Sequence, residues 1–396
     1  MRVLRVHSRR ARATTIVGTV VLALVLAACA TVAPAPAANA NPATCVARLT
    51  SAADYQSAFD TRGPVWSGGD GAAAIPLPDG RVLWLFGDTF TGPVVANRRV
   101  PPTRLVRSSA LVQTGRCFQP TMGGTAANLA DLFPAPAPGE WYWPAHGWAD
   151  ASGRSVHVFV MRMRQTAGLP GWDWTTVDMR LATLSLPDLR VQSISALPFP
   201  AGGDAPAYGS SVAVGDDGFA YVYGELSVPG WLLPQAGQYV ARVPADLSGG
   251  WQFWDGSEWS ADPSAAAPMT FTAADLSPDA GPSSSLNVVR YGSGWLGVAK
   301  RWDMLSGDVS AWYASSPEGP WRAVNDDDGT IALTPVPAGS TEFTYGGHVV
   351  DAPGAGPVVV YSVNGSDATV MSDARVYGPR VVAPSALPSP DELAAG

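Results

Sequence analysis

Asp70 and Asp88 lie in the stretch WSGGDGAAAIPLPDGRVLWLFGDTF (residues 66–90), one just before an apolar run and the other just after the next. Two neighbouring carboxyl groups are what hydrolysis of a glycosidic bond requires, one to protonate the leaving oxygen and one to act as nucleophile or to activate water. Between the runs, Pro78-Asp79-Gly80 supplies the preset φ, the Asx hydrogen bond and the positive φ of a tight turn, so the stretch reads as a β-hairpin with both acids at its open end. Register decides whether they share a sheet face. A two-residue Asp79-Gly80 turn sets Asp88 opposite Gly71 with the acids on opposite faces, whereas one extra residue at the turn, or a bulge near Gly68-Gly69, returns them to the same face. The alternative is structural, with Asp70 an Asx residue in a glycine-rich entry and Asp88 capping the turn before Thr89. Trp66, Trp84 and Phe86 favour chemistry, because apolar neighbours desolvate a carboxyl and raise its pKa into the range of an acid catalyst.

The hairpin is the first of five similar units. The runs GDGAAAIPL, WYWPAHGWA, AYGSSVAV, SSSLNVV and TYGGHVV are each followed by a Gly- or Asp-containing turn. A second run then follows: RVLWLFGD, SVHVFVMR, FAYVYGE, WLGVAKRWD or PVVVYSVN. These second runs are β-branched and aromatic, without helical periodicity, and a third strand candidate follows each pair. Five units of three or four strands point to an all-β chain folded as a single five-bladed β-propeller over residues 45–384, with a double β-sandwich as the rival.

In a propeller the first strand of each blade leaves the functional face and the second returns to it. That places Asp70, Trp143, His146, Tyr208, Tyr345 and His348 from first strands beside Asp88, Arg164, Glu225 and Asp303 from second strands, at one channel mouth. Asp70 and Asp88 are the candidate catalytic pair. The other eight are candidate substrate contacts, with Glu225 and Asp303 also eligible to pair with Asp88 across the channel. Indole faces such as Trp143 stack on sugar rings, although propellers also bury Trp between blades. Asn325-Asp326-Asp327-Asp328-Gly329 lacks the downstream acid of a calcium loop, and no zinc-protease, nucleophile-elbow or phosphate-loop motif occurs. No metal or other cofactor is expected.

The ends of the chain read differently. Residues 1–28 are a basic segment followed by an apolar one, an export signal. It closes on Leu26-Ala27-Ala28-Cys29, which resembles the bacterial lipobox, so Cys29 is the expected lipid attachment point and an ordinary secretory peptide the alternative. Arg9-Arg10 is a weak hint of twin-arginine export. The Ala/Pro-rich tether (29–44) and the tail (385–396) are too poor in large apolar residues to offset their ordering entropy. With Cys29 lipidated, Cys45 and Cys117 are left to form a disulfide in an oxidising compartment. A net charge of −8 offers no basic stripe for nucleic acid. The expected product is a monomer on the outer face of the cell membrane, or secreted, that touches the membrane only through its lipid. Lys300, the single lysine among 25 basic residues, fits the codon bias of a GC-rich genome.

The phrases GEWYWP, YVYGE, QYVARVP, GGWQFWDGSEWS, SSPEGPW, VVVYSVN and VYGPRVV, in order after the opening hairpin, resemble a family of exported actinobacterial proteins catalogued as a domain of unknown function. That family is similar to a propeller group whose characterised members are endo-D-arabinanases. The resemblance implies a glycoside hydrolase acting on an envelope or environmental polysaccharide, arabinan first, with GGDG and FGDT matching that group's catalytic aspartates at Asp70 and Asp88. An acid expected on the first strand of the fourth blade is replaced by Ser283-Ser284-Ser285. This replacement keeps open a non-catalytic glycan-binding propeller, or an envelope scaffold protein.

Overall fold

A computed structural model describes residues 42–125, 127–168, 171–227, 236–279, 281–282, 284–336 and 340–395. The expected signal peptide, most of the tether and Cys29 lie outside these residues. The described chain is a five-bladed β-propeller. Blade 1 is built from strands Gly69–Pro76, Val82–Thr91, Ser109–Thr114 and Cys117–Thr121. Blade 2 comprises Glu140–Ala149, Ser155–Gln165, Trp174–Ser185 and Val191–Ala196. Blade 3 comprises Ala207–Val214, Phe219–Ser227, Ala236–Pro244 and Gln252–Trp254. Blade 4 has Asn287–Tyr291, Gly294–Lys300, Asp308–Ala314 and Trp321–Ala323, and blade 5 has Phe343–Ala352, Gly356–Asn364 and Gly378–Val382. The first strands approach one another in ring order, blade 5 returning to blade 1.

The second strands are apolar at nearly every position because each is buried on both faces. In blade 1, Trp84 and Phe86 point into a cluster with Val350, Val358 and Val360 of blade 5. The alternate residues Leu83 and Leu85 point into one with Val156, Val158 and Leu184 of blade 2. Equivalent clusters fill the other three seams: Trp148 and Phe159 with Val222 and Phe253, Tyr223 and Val240 with Trp295 and Trp321, and Leu296 and Val298 with Val349 and Val359. The period of two along a strand thus glues a blade to both neighbours.

Blade 5 has three strands in its sheet, and a helix at Ala52–Phe59 packs on its outermost one. Gln56 Oε1 accepts the Val381 amide at 2.9 Å, and Tyr55 donates its hydroxyl to the Pro353 carbonyl at 3.0 Å while accepting from Gln113 of blade 1. Tyr55 and Phe59 are fully buried in the seam between blades 5 and 1. Just upstream, Thr44–Cys45 pairs with Cys117–Phe118, and a Cys45–Cys117 disulfide fastens this segment to the outer edge of blade 1. The tail differs from its composition-based expectation. Leu387 packs on the blade 4–5 cluster, Tyr291 donates to the Pro388 carbonyl, and Pro390–Ala395 is helical. A few contacts per residue suffice to order a short segment that lies on an existing core.

Candidate active site

The hairpin that carries Asp70 and Asp88 turns through three residues, Pro78–Gly80, with the Leu77 amide bonded to the Arg81 carbonyl at 2.8 Å. Asp79 Oδ1 accepts the Arg81 amide, the turn-forming role expected of it. The third turn residue moves the register by one relative to a two-residue loop. Pairing runs from Pro76↔Val82 to Ala73↔Leu85, slips at Gly71↔Phe86 and returns at Gly69↔Thr89. Gly71 and Ala72 take the slip with φ of 96° and 58°. This leaves Asp70 opposite the Gly87-Asp88 segment. The Thr89 hydroxyl locks that segment, lying 2.9 Å from the Gly87 carbonyl and 2.7 Å from the Ser109 hydroxyl. First-strand slips recur in blades 2, 3 and 5, between Pro144 and Gly147, Tyr208 and Ser211, and Tyr345 and Gly347. The bulge is therefore a recurring device of these first strands, and in blade 1 it sets the direction of Asp70.

The two acids have different surroundings. Asp70 Oδ2 accepts the Tyr345 hydroxyl at 2.6 Å. Burial, and then the charge of Asp88, push its pKa up to about 7, against the Tyr345 and Tyr377 hydroxyls that pull it down. Asp88 is held at both oxygens, Oδ1 by the Trp143 indole N–H at 2.7 Å and Oδ2 by Arg107 at 2.8 Å. Burial raises its pKa, while Arg107 and Trp143 oppose the rise. Both carboxyls are thus held above the usual carboxylate range, with the charge of Asp88 adding to the rise at Asp70.

A second acidic pair joins blades 3 and 4. Burial, and then the charge of Asp303, raise Glu225 to about 7, and a Ser285 hydrogen bond pulls it back. Glu225 Oε2 is buried with no hydrogen-bond partner among the described residues. Asp303 sits in a 3-10 turn at Asp303–Leu305 with φ 45°, its Oδ1 accepting the Gly346 amide of blade 5 at 3.1 Å. Burial raises its pKa too, opposed by that amide and the charge of Lys300. Lys300 is fully buried, and its ammonium is spent on the Ser306 carbonyl and the hydroxyls of Thr334 and Thr344. Four carboxyls with raised pKa, drawn from blades 1, 3 and 4, are a signature of acid–base sites.

Residues 53–380 match the model of a family described as a domain of unknown function (DUF5005). The chain belongs to this family. Among solved structures, a Bacteroides ovatus ATCC 8483 protein provisionally assigned as a hydrolase is 18% identical, over 83% of this chain and 88% of that one, with a TM-score of 0.60. CoXyl43, a GH43 β-xylosidase/α-arabinofuranosidase from a compost microbial metagenome, is 13% identical over 82% of this chain and 95% of that one at a TM-score of 0.46. The GH43_1 enzyme from Xanthomonas citri is 13% identical over 85% and 96%, also at 0.46. These likenesses are of fold. No curated protein sequence matches the chain.

Within this DUF5005 propeller, Tyr345 holds Asp70 and Trp143 holds Asp88, the two acids interacting through their charge, as Glu225 and Asp303 do. Arg164 is rim, half-exposed and paired with Glu140 at 2.8 Å. Tyr208 is not at the mouth: its ring is 1% exposed and packs on Phe199 and Phe253 in the blade 2–3 seam. His146 is buried, with Nδ1 3.3 Å from the Val212 amide of blade 3 and 3.0 Å from the Gly147 carbonyl, a seam position. Burial lowers its pKa to about 4, with His348 adding to the effect. His348 is lowered to about 4 by burial, and its Nδ1 has no partner among the described residues. Neither imidazole carries charge at neutral pH. Among the described residues no group of three or more His, Cys, Asp or Glu is arranged to hold a metal ion.

Sequence reasoning missed Arg107, which stacks over Trp141 at 4.3 Å and grips Asp88, because it precedes its strand in an unremarkable Arg-Ser-Ser. It also missed Trp172 and Trp174, whose Trp-x-Trp spacing at a strand start puts two indoles on one side.

Proposed function

We propose that this propeller is a glycoside hydrolase in which Glu225 is the proton donor and the Asp70–Asp88 pair supplies the carboxylate. The observation that carries the reading is the contrast among three part-buried acids at one mouth. Asp70 and Glu225 both titrate near 7, whereas Asp88 is pinned at both oxygens. Glu225 suits the acid's role, because a carboxyl with an unpartnered oxygen has room to give its proton to a glycosidic oxygen. Asp70, freed of its proton, is the base or nucleophile; Tyr345 holds it in place, and the charge of Asp88 makes it a stronger base. Turnover then needs Asp70 ionised and Glu225 protonated, so kcat/KM is bell-shaped with both limbs near pH 7.

The diagnostic experiment uses the leaving group. Glu225→Gln should lose at least about a hundredfold in kcat on oligosaccharides. It should recover much of that on dinitrophenyl glycosides, whose leaving group needs no proton, whereas Asp70→Asn should be inactive on both. Equal losses for Glu225→Gln on both substrates would remove it from the acid's role.

A second reading, a glycan-binding propeller without turnover, draws on Asp88 having donors at both oxygens and on serine where the fourth-blade acid was expected. The proposal extends to an arabinan substrate and to export as a lipoprotein attached through Cys29.

A further inference from the structure

The acid pair is bordered by a continuous arc of aromatic rings. Trp143, which holds Asp88, meets Trp174 edge to face with centroids 4.9 Å apart. Trp174 lies near-parallel to Trp172, at 6.5 Å and 26°. Trp172 meets Phe343 at 6.4 Å, Phe343 meets Tyr345 at 5.7 Å, and the Tyr345 hydroxyl returns to Asp70. The arc begins on one acid, ends on the other, and runs from blade 2 to blade 5, the two neighbours of blade 1.

Trp172 stands out in it. It is 56% exposed, the one aromatic among the exposed large hydrophobic side chains of the described residues. Its backbone is tied on both sides. The Asp173 carbonyl accepts the Thr166 amide at 2.7 Å and Gln165 Nε2 at 2.8 Å, and the Gly171 carbonyl accepts the Trp174 indole at 3.1 Å. An indole held open to solvent beside two part-buried acids offers an apolar face to something that arrives from outside. Sugar rings present C–H faces of matching size, and indoles combine such a face with a polar edge. Across the mouth, Met304 and Leu305 are also exposed, on the turn that carries Asp303.

Charge narrows the ligand further. The carboxyls of Asp70, Asp88, Glu225 and Asp303 gather at this mouth, while Arg107 and Arg164 are engaged by Asp88 and Glu140. A uronic acid would add an anion where anions already repel.

We propose that Trp172, with Trp174 and Phe343, forms a stacking subsite for one ring of a neutral saccharide next to Asp70 and Asp88. This rests on the hydrolase reading and deepens it by naming the sugar class and the residue that grips it. The test measures binding by calorimetry in the Glu225→Gln background, which leaves the arc untouched, with linear arabino-oligosaccharides, xylo-oligosaccharides and oligogalacturonate as probes. A neutral oligosaccharide should bind, Trp172→Ala should weaken it at least tenfold (about 1.4 kcal/mol), and Trp172→Phe should recover most of the loss. Oligogalacturonate of the same length should not compete. Unchanged affinity in Trp172→Ala would overturn the subsite, and the hydrolase reading would survive it if the wild-type protein releases sugar. Preferred binding of oligogalacturonate would overturn the neutral class. No binding to any probe, with no sugar released by the wild type, would overturn both.

Discussion

At the scale of single residues, the site stores free energy that folding would otherwise recover. A carboxyl whose folded pKa stands near 7, against about 3.9 when unfolded, takes up a proton on folding between those pH values. Stability is then unaffected below about pH 4, falls as pH rises toward 7, and stays at its lowered level above. Asp70→Asn removes the penalty. We expect that variant to gain up to about 4 kcal/mol at pH 8 relative to its change at pH 4, measured by urea denaturation, while it loses turnover. An equal change at both pH values would mean that Asp70 is an ordinary exposed acid. His146 and His348 act in the opposite sense, since their lowered pKa values cost stability as pH falls from about 6.5 toward 4. The acids themselves were legible in the sequence because few charged residues sit at strand ends in so apolar a chain. Arg107 and Trp172 were not, because they reach partners distant in sequence, such as Asp88 and Phe343, and no local pattern encodes them. Tyr208 shows the converse, a strand-start aromatic that the seam between blades absorbed.

At the scale of elements, the hairpin turn and the bulge decide whether the acids can act together. The turn residues were readable, but not whether Pro78 belonged to the loop or the strand, and that one residue fixes which side of the sheet Asp88 faces. Gly87 lies directly against the acid: a Cβ there would lie 2.8 Å from Asp70 Oδ1 and 3.6 Å from Trp143 Cδ1. Gly87→Ala must displace the Asp70 carboxylate, which is short and anchored by Tyr345. The expected result is a loss of at least tenfold in kcat/KM with a change in Tm of only a few degrees. Full activity in that variant would show that the position of Asp70 is not critical. The start of the fourth blade was read a few residues early: its first strand begins at Asn287, and Ser285 serves Glu225 as a hydrogen-bond partner.

At the scale of the molecule, five repeats of apolar run, turn and apolar run made the ring legible, because burial of each second strand on both faces demands a continuous apolar pattern. The closure between blades 5 and 1 was not, since the helix at Ala52–Phe59 does the work of a strand and carries no repeat signal. If the proposed lipid anchor is right, Cys29→Ala should shift the protein from the membrane fraction to the soluble one or leave an unprocessed precursor, as seen by fractionation and mass spectrometry. Unchanged membrane association would contradict it. The central claim is that the mouth cleaves glycosidic bonds, and the most direct measurement is release of reducing ends from arabinan and xylan by the purified wild-type propeller beside Asp70→Asn and Glu225→Gln. The account predicts release by the wild type on at least one of these polymers, and a loss of at least about a hundredfold in both variants with their folded spectra retained. Binding without release by the wild type, or release undiminished in both variants, would contradict it.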